Sequence, residues 1–244
     1  SASRSFSITV QNDAPSNHFN TVLYTGTGSS QSITSVGFAP DFVWIKDRDA
    51  TNWHNLQDTI RGATKHLYSN ATNAEDTTSN GLTSFDSNGF TIGGGGGFGN
   101  NGNNFVAWNF KAGGAAVANT DGSINSQVSV NNTLGFSIVK YTGNNTAGAT
   151  VGHGMDAVPE LIIWKGLTSV SGWKVYCNQF TSPTTQVVEL QDTAAVSTNT
   201  VFINGTAPST SLITLGAYGD TNGSGQDIIT YNFTSKPGFS KVGS

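Results

Sequence analysis

The stretch Pro40–Lys46 (PDFVWIK) decides how this chain folds, because it returns later as Pro159–Lys165 (PELIIWK). Both copies consist of a proline, an acidic residue, four apolar residues and a lysine. A segment that is apolar on both faces is typical of a central strand buried between two layers. A proline at the entrance of a strand costs few ladder hydrogen bonds. The sequence therefore predicts two equivalent, buried central strands.

The residues on either side of these strands also repeat, in the same order. Phe19–Gly26 (FNTVLYTG) is matched by Phe136–Gly143 (FSIVKYTG), and Val106–Phe110 (VAWNF) is matched by Ile229–Phe233 (ITYNF). Ordered self-similarity of this kind indicates a repeat architecture. We therefore predict two tandem, internally homologous β-sandwich repeats.

The repeat divides the chain into an N-terminal extended strand, a first sandwich, a hairpin linker and a second sandwich that ends in a further strand. Their predicted bounds are 1–18, 19–114, 115–135 and 136–244. Asp121–Gly122 marks the hairpin, because Asp-Gly supplies the positive-φ residues of a type I′ turn. Phe6–Val10 and Phe239–Val242 are the predicted terminal strands. We expect at least one of them to pair with another chain in a homo-oligomer or filament.

Composition supports an all-β fold. Charged residues make up only 11% of the 244 residues, whereas aromatic residues make up 10%. Short polar side chains combined with many aromatics favour turns and half-buried strands over helices. No amphipathic stretch of helical length is evident, so the predicted class contains strands and loops throughout.

Charge and hydropathy argue against two classes of partner. The net charge is -4 and the 11 basic residues are scattered, whereas phosphate binding depends on clustered Lys and Arg. The longest apolar runs have about six residues, far fewer than the roughly 20 that span a bilayer. We therefore expect neither nucleic-acid binding nor membrane insertion. Because the chain starts at Ser1 without a Met, we expect it to be processed or cut from something longer.

The sequence contains no recognisable catalytic or metal-binding motif. The histidines lack metal-ligand spacing, and neither a nucleophile elbow nor a defined carboxylate pair is found. The glycine run Gly93–Gly97 lacks the lysine and the helix of a phosphate-binding loop, so it predicts an irregular loop that could close over a ligand. The lone Cys177 is expected to be a packed thiol. We expect a protein that is not an enzyme and needs no cofactor.

The best candidate ligand-binding residues are those present in one copy of the repeat only. After the first central strand these residues are Asp47, Arg48, Asp49, Asn52 and His54. Planar and polar side chains of this kind can hydrogen-bond the hydroxyls of a sugar. The two aspartates could also offer carboxylates to Ca²⁺, although the full calcium loop is missing. An ordinary solvated loop is the alternative interpretation.

Tryptophans that recur in both copies are expected in the core. Trp44 recurs near Trp164, and Trp53 recurs near Trp173. A large apolar residue that the scaffold needs twice contributes mainly to packing. We therefore predict that Trp44 is buried.

Several strings resemble repeats in tail-fibre-like proteins of bacteriophages, especially marine ones. They are Tyr24–Gly26 (YTG), Pro40–Lys46 (PDFVWIK), Ile60–Lys65 (IRGATK) and Val106–Gly114 (VAWNFKAGG). In those proteins such regions often accompany lectin-like sandwich domains, so the resemblance implies repeats of the jelly-roll or concanavalin-like kind. The resemblance covers the chain from about Asn12 onward and implies a virion-surface or extracellular location.

The sequence thus leaves two main hypotheses about function, and a glycan-degrading enzyme is a third, less favoured one. The leading one is a non-enzymatic phage adhesion module that presents loops to a host cell-surface glycan or receptor. The alternative is a purely structural subunit, such as a virion decoration protein or an extracellular filament protein, that contacts other subunits through exchanged terminal strands.

Overall fold

A computed structural model describes residues 13–243 of the chain. It has 40% strand and 3% helix, in several antiparallel sheets that are consistent with a β-sandwich, so the predicted all-β class is confirmed. The predicted strand Phe6–Val10 lies outside the described residues. None of the helices within 13–243 has the length and apolarity to span a bilayer.

The strands are joined by turns and loops along the described chain. In the first half they are β1 (Phe19–Thr25), β2 (Gln31–Ile33), β3 (Phe42–Asp47), β4 (Asn55–Asp58), β5 (Lys65–Tyr68), β6 (Asp76–Thr77), β7 (Leu82–Asp86), β8 (Gly89–Ile92) and β9 (Asn104–Phe110). In the second half they are β10 (Val117–Asn119), β11 (Ser126–Asn131), β12 (Phe136–Thr142), β13 (Ala149–Gly152), β14 (Leu161–Gly166), β15 (Lys174–Cys177), β16 (Gln186–Glu189), β17 (Ser197–Thr198), β18 (Leu212–Leu215) and β19 (Asp227–Phe233). The helical segments are a 3-10 turn at Pro15–Asn17 and α1 (Gly219–Asn222).

Each half contains one large sheet and one small sheet. The first main sheet has the order β1-β9-β3-β4-β5-β6, and its cover sheet has the order β2-β8-β7. The second main sheet has the order β10-β11-β12-β19-β14-β15-β16-β17, and its cover sheet is β13-β18. From β12 to β17 the second main sheet repeats the succession of strands found in the first.

The pairing register is also the same in both main sheets. Val43 of β3 lies opposite Asn109 of β9, and Ile162 of β14 lies opposite Asn232 of β19. The ladder β1–β9 starts by pairing Phe19 with Phe110, as β12–β19 pairs two phenylalanines at its start. The two central strands predicted from the sequence are therefore central in both sheets and have the same neighbours.

The sheets stack in four layers around three apolar clusters. Because successive side chains of a strand point to opposite faces, Val43 and Ile45 pack under the first cover sheet, whereas Phe42 faces the second half. A matching cluster fills the space between the second main sheet and β13-β18. The two main sheets pack directly on each other through the third cluster, which we call the central interface.

The central interface combines aromatic packing with one buried polar cluster. The ring of Phe42 lies 4.8 Å from that of Tyr231, edge to face. The Tyr231 hydroxyl donates to the Asp58 carboxylate at 2.8 Å, and the Arg61 guanidinium donates to the same oxygen at 2.5 Å. The indole of Trp173 donates to backbone carbonyls of the first half. These contacts hold the two halves together by both burial and hydrogen bonding.

Four expectations about local structure need correction. The 115–135 segment forms a hairpin, but β10 and β11 extend the second main sheet and do not act as a linker. Gly122 is not a positive-φ residue; it is needed because a Cβ there would meet the Thr150 carbonyl oxygen at 2.4 Å. Phe239–Val242 is no strand: Lys236 and Ser240 close a turn, and the Phe239 ring packs on the central interface.

The fourth correction concerns Trp44, which is partly buried, whereas Trp164 is fully buried. The two tryptophans occupy adjacent register positions and so point to opposite faces of their sheets. Trp164 faces its cover sheet, but Trp44 faces the outer edge of the central interface, where coverage is incomplete.

Candidate functional site

The predicted ligand loop after β3 is organised around the carboxylate of Asp47. This side chain is fully buried and accepts hydrogen bonds from the backbone of Asp49 and Ala50 and from the amides of Asn52 and Asn103. Burial raises the pKa of the Asp47 carboxyl, but the hydrogen bonds outweigh it and hold the pKa below its ordinary value. The Asp47 carboxylate therefore shapes the loop and is already fully hydrogen-bonded.

Within residues 13–243, Asn52 hydrogen-bonds the Asp47 carboxylate, whereas the side chains of Arg48, Asp49 and His54 do not. Asp49 accepts hydrogen bonds from the backbone and side chain of Asn104, while Arg48 is exposed. His54 is partly buried, and its backbone N–H donates to the Asn70 side chain. No group of three His, Cys, Asp or Glu side chains within 13–243 could hold a metal ion. Ligand binding by this loop stays a prediction.

A polar cavity of about 160 Å³ lies close to this loop, at the β5-β6 end of the first main sheet. We call it the β5 cavity. One wall is the end of the glycine run, which the sequence marked as an irregular loop; the left-handed φ of +48° at Gly96 suits a glycine. The lining residues are His66, Tyr68, Asp76, Thr78, Asn80, Gly95, Gly96 and Phe98.

The alternation of β5 places two functional side chains on the wall of this cavity. Leu67 packs into the central interface, so His66 and Tyr68 point to the opposite face of the sheet. Both line the cavity beside Phe98, whose ring centroid lies 5.7 Å from that of His66. The cavity thus opens on the face that the cover sheet shields elsewhere.

His66 is a buried imidazole with an unused hydrogen-bonding atom. The residue is 2% exposed, and its Nδ1 has no hydrogen-bond partner in the described part of the chain. Its Nε2 lies 3.5 Å from the Asp76 carboxylate. Burial lowers the pKa of His66, an effect that exceeds the opposing influence of Asp76, so the ring is neutral at pH 7. An unpartnered buried polar atom costs about 1–3 kcal/mol, so such atoms are usually paired with water or a ligand.

Two neighbours of His66 share this feature. The register that pairs Leu56 with Leu67 brings Gln57 opposite His66. Gln57 is fully buried, and neither its Nε2 nor its Oε1 has a partner among residues 13–243. Asn55, on the same strand and face, has an unpartnered Oδ1. The sheet beneath the β5 cavity is therefore unusually rich in polar atoms without a partner.

Aromatic rings complete the surroundings of the cavity. Tyr68 packs against Trp53 with ring centroids 4.8 Å apart. Trp53 is 46% exposed, so the expectation that it lies in the core is wrong. Burial raises the pKa of Tyr68, and its hydroxyl lies 3.5 Å from the Asp76 carboxylate. Among the described residues that line the cavity, Asp76 alone carries a charge. The arrangement suits a neutral, hydroxyl-rich ligand and disfavours an anion.

The second half lacks these side chains at the matching places. β16 and β17 take the positions in their sheet that β5 and β6 take in theirs. His66 pairs with Asp76 across the first pair of strands, and Val187 pairs with Ser197 across the second. Val187 belongs to an apolar core cluster. The scaffold therefore does not require the histidine and the aspartate.

This cavity was not identified from the sequence, because the histidines were tested for metal-ligand spacing, which His66 lacks. The usable signal was the contrast between His66 and its counterpart Val187. That contrast is visible only once the short strands after Trp53 and Trp173 are aligned, and those strands lack landmark residues.

The comparisons with known proteins give one family. The model of a family described as "Domain of unknown function (DUF7483)" matches residues 14–244. No curated protein and no solved structure is a significant match.

Proposed function

We propose that this chain, which belongs to the DUF7483 family of domains of unknown function, is a non-enzymatic adhesion module that binds a neutral glycan in the β5 cavity. The observation that carries the proposal is the buried, unpartnered His66, which lines a cavity beside aromatic rings and has Val187 as its counterpart in the second half. Sugar-binding sites combine apolar and aromatic walls with a few polar groups. The resemblance of the sequence to tail-fibre-like repeats supports a phage virion or another extracellular surface as the setting.

The proposal includes two tandem, homologous sandwiches of the jelly-roll or concanavalin-like kind. The shared succession of strands and the shared register of the two main sheets support it. Under this interpretation the duplicated scaffold supplies rigidity, and the differences between the copies carry the binding function.

The dimensions of the cavity limit the ligand. Sites for drug-sized ligands occupy about 300–1,000 Å³, so the β5 cavity of about 160 Å³ accommodates a single sugar ring. Asp76 and Asn80 line it and can hydrogen-bond hydroxyl groups, and Tyr68 and Phe98 supply apolar faces. A sialylated or uronic-acid glycan would bring its carboxylate towards Asp76 and is expected to bind less well.

The test is a glycan array followed by calorimetric titration of the best neutral ligand. His66→Val introduces the residue that the second half has at this place, and it should weaken binding at least about tenfold, or about 1.4 kcal/mol, without loss of stability. The matched control is His54→Val, in the predicted loop outside the cavity, which should bind normally. If only His54→Val loses binding, the loop after β3 is the site. If no glycan binds, the adhesion proposal fails.

A purely structural subunit is the second candidate. The observation that favours it is a partly exposed aromatic surface on the first main sheet, lined by Phe19, Trp44, Trp108 and Phe110. Binding to whole host cells separates the two roles, because a structural subunit would not attach to cells without the rest of its assembly.

A further inference from the structure

The first main sheet carries an apolar groove on the face that it turns towards the second half. Phe19, Trp44, Trp108 and Phe110 enclose about 270 Å³, and we call this volume with its lining the aromatic groove. A neighbouring cleft of about 300 Å³ shares Phe19 and Phe110 and extends to Phe239. The groove contains no charged side chain and few polar atoms, so it is poorly suited to a sugar.

The aromatic groove continues the central interface. Phe19, Trp44 and Phe110 pack against the apolar cluster between the two main sheets, and they remain partly exposed on their other side. The rings of Trp44 and Trp108 contact each other edge to face at 5.8 Å. The same layer of aromatic packing thus extends past the edge of the second half.

The corresponding face of the second main sheet shows what normally covers such residues. The shared register places Tyr231 where the first sheet has Trp108, and Ile229 where it has Val106. Tyr231 is 1% exposed and Ile229 is fully buried, because the first main sheet covers both. Trp108 and Val106 are partly exposed. The second main sheet is therefore covered at these two positions, whereas the first main sheet is not fully covered at Trp108 and Val106.

Leu23 extends the apolar surface to the edge of the sheet. It lies opposite Val106 on β1 and is 63% exposed. Its counterpart on β12 is Lys140, which lies opposite Ile229 and forms an ion pair with Asp227. The strand therefore accommodates a lysine at this position in one copy and exposes a leucine in the other.

We infer that the aromatic groove and Leu23 form a docking surface for a second copy of this chain. The contact joins the same face of both subunits about a two-fold axis, because an apolar surface complements itself. The corresponding area of the second main sheet is lined by Gln127, Lys140 and Asp227. It is too polar to pack against the aromatic groove. Such a contact gives each first main sheet the sheet-on-sheet covering that the second main sheet already has.

The experiment measures molar mass against concentration for the full chain, by light scattering after size exclusion. The unmodified chain should form a dimer. Leu23→Lys imitates Lys140 and should raise the dimer dissociation constant by at least about tenfold, because two like charges oppose each other across the axis. Thr21→Lys, opposite Trp108, provides an independent disruption. The control is Val117→Lys on β10, which is also 63% exposed and should leave the dimer intact.

A thermal melt of each variant at low concentration separates lost docking from lost folding. A monomeric unmodified chain, or two folded lysine variants that both dimerise normally, would overturn the inference. Glycan binding by a monomeric Leu23→Lys protein is expected to persist, since the β5 cavity faces the other side of the sheet. The two proposals can therefore fail separately.

Discussion

Removal of one hydroxyl group from the central interface tests how the two halves are held together. Tyr231→Phe deletes the donor to the Asp58 carboxylate, a hydrogen bond of 2.8 Å between two buried residues from different halves. Burial raises the pKa of Tyr231 well above its ordinary value, so the hydroxyl is protonated and donates. Hydrogen bonds to charged groups contribute about 1.5–3 kcal/mol. Asp58 keeps both of its bonds from Arg61, so we expect a loss of about 2 kcal/mol.

Urea unfolding followed by tryptophan fluorescence measures this loss, and a thermal melt should show Tm lower by about 4–8 °C. The matched control is Tyr141→Phe, whose buried hydroxyl donates to the neutral carbonyl of Thr221 within one half. It should cost about 1 kcal/mol. If Tyr231→Phe costs no more than Tyr141→Phe, the hydrogen bond from Tyr231 to Asp58 adds no more stability than one to a neutral carbonyl, and the reasoning fails.

Two further predictions concern the core and pH. Trp164→Ala should destabilise the protein by about 3–5 kcal/mol, whereas Trp44→Ala should cost less in a monomer because Trp44 is only partly buried; equal losses in urea titrations would contradict the difference in burial. Burial lowers the pKa of His153 from 6.5, so the unfolded chain binds a proton at this residue more readily than the folded chain does. The stability that depends on neutral His153 is therefore fully present above about pH 6.5 and is lost as the pH falls. Melts between about pH 8 and about pH 5 should show a smaller decrease of Tm for His153→Gln, and an unchanged slope would exclude His153 as a cause.

The sequence predicted the position of a strand wherever burial of that strand requires a recognisable pattern of apolar residues. The apolar stretches at Pro40 and Pro159 identified the central strands, since only a strand covered on both faces needs four apolar residues in a row. The hairpin at 115–135 was recognisable, but its place in the second main sheet was not, because sheet membership depends on contacts distant in the chain.

Burial of individual aromatics could not be predicted from recurrence. Trp44 and Trp164 look equivalent in the sequence, yet a shift of one register position sends them to opposite faces. How far one sheet covers the other is a tertiary property that no local pattern encodes. The exposed Leu23 and the half-covered groove are consequences of it.

The loop predicted to bind a ligand and the β5 cavity were not equally accessible to sequence reasoning. Polar residues after β3 suggested a ligand loop, and Asp47 proved to accept hydrogen bonds from within that loop. The spacing of the histidines gives no reason to select His66, whose Nδ1 has no hydrogen-bond partner among the described residues and which lines a cavity with the end of the glycine run. Whether a buried polar atom has a hydrogen-bond partner depends on the three-dimensional structure, so composition and spacing do not reveal it.

The place of β9 and β19 in their sheets has a consequence for synthesis on the ribosome. Each is the last strand of its half along the described chain, yet each lies in the middle, between β1 and β3 or between β12 and β14. β1 therefore emerges about 85 residues before the end of β9, which takes roughly 4–17 s at about 5–20 residues per second. During that interval the nascent first half has two unpaired strand edges that a chaperone or a neighbouring nascent chain could engage. The arrival of β9 closes the first sheet before the second half has emerged.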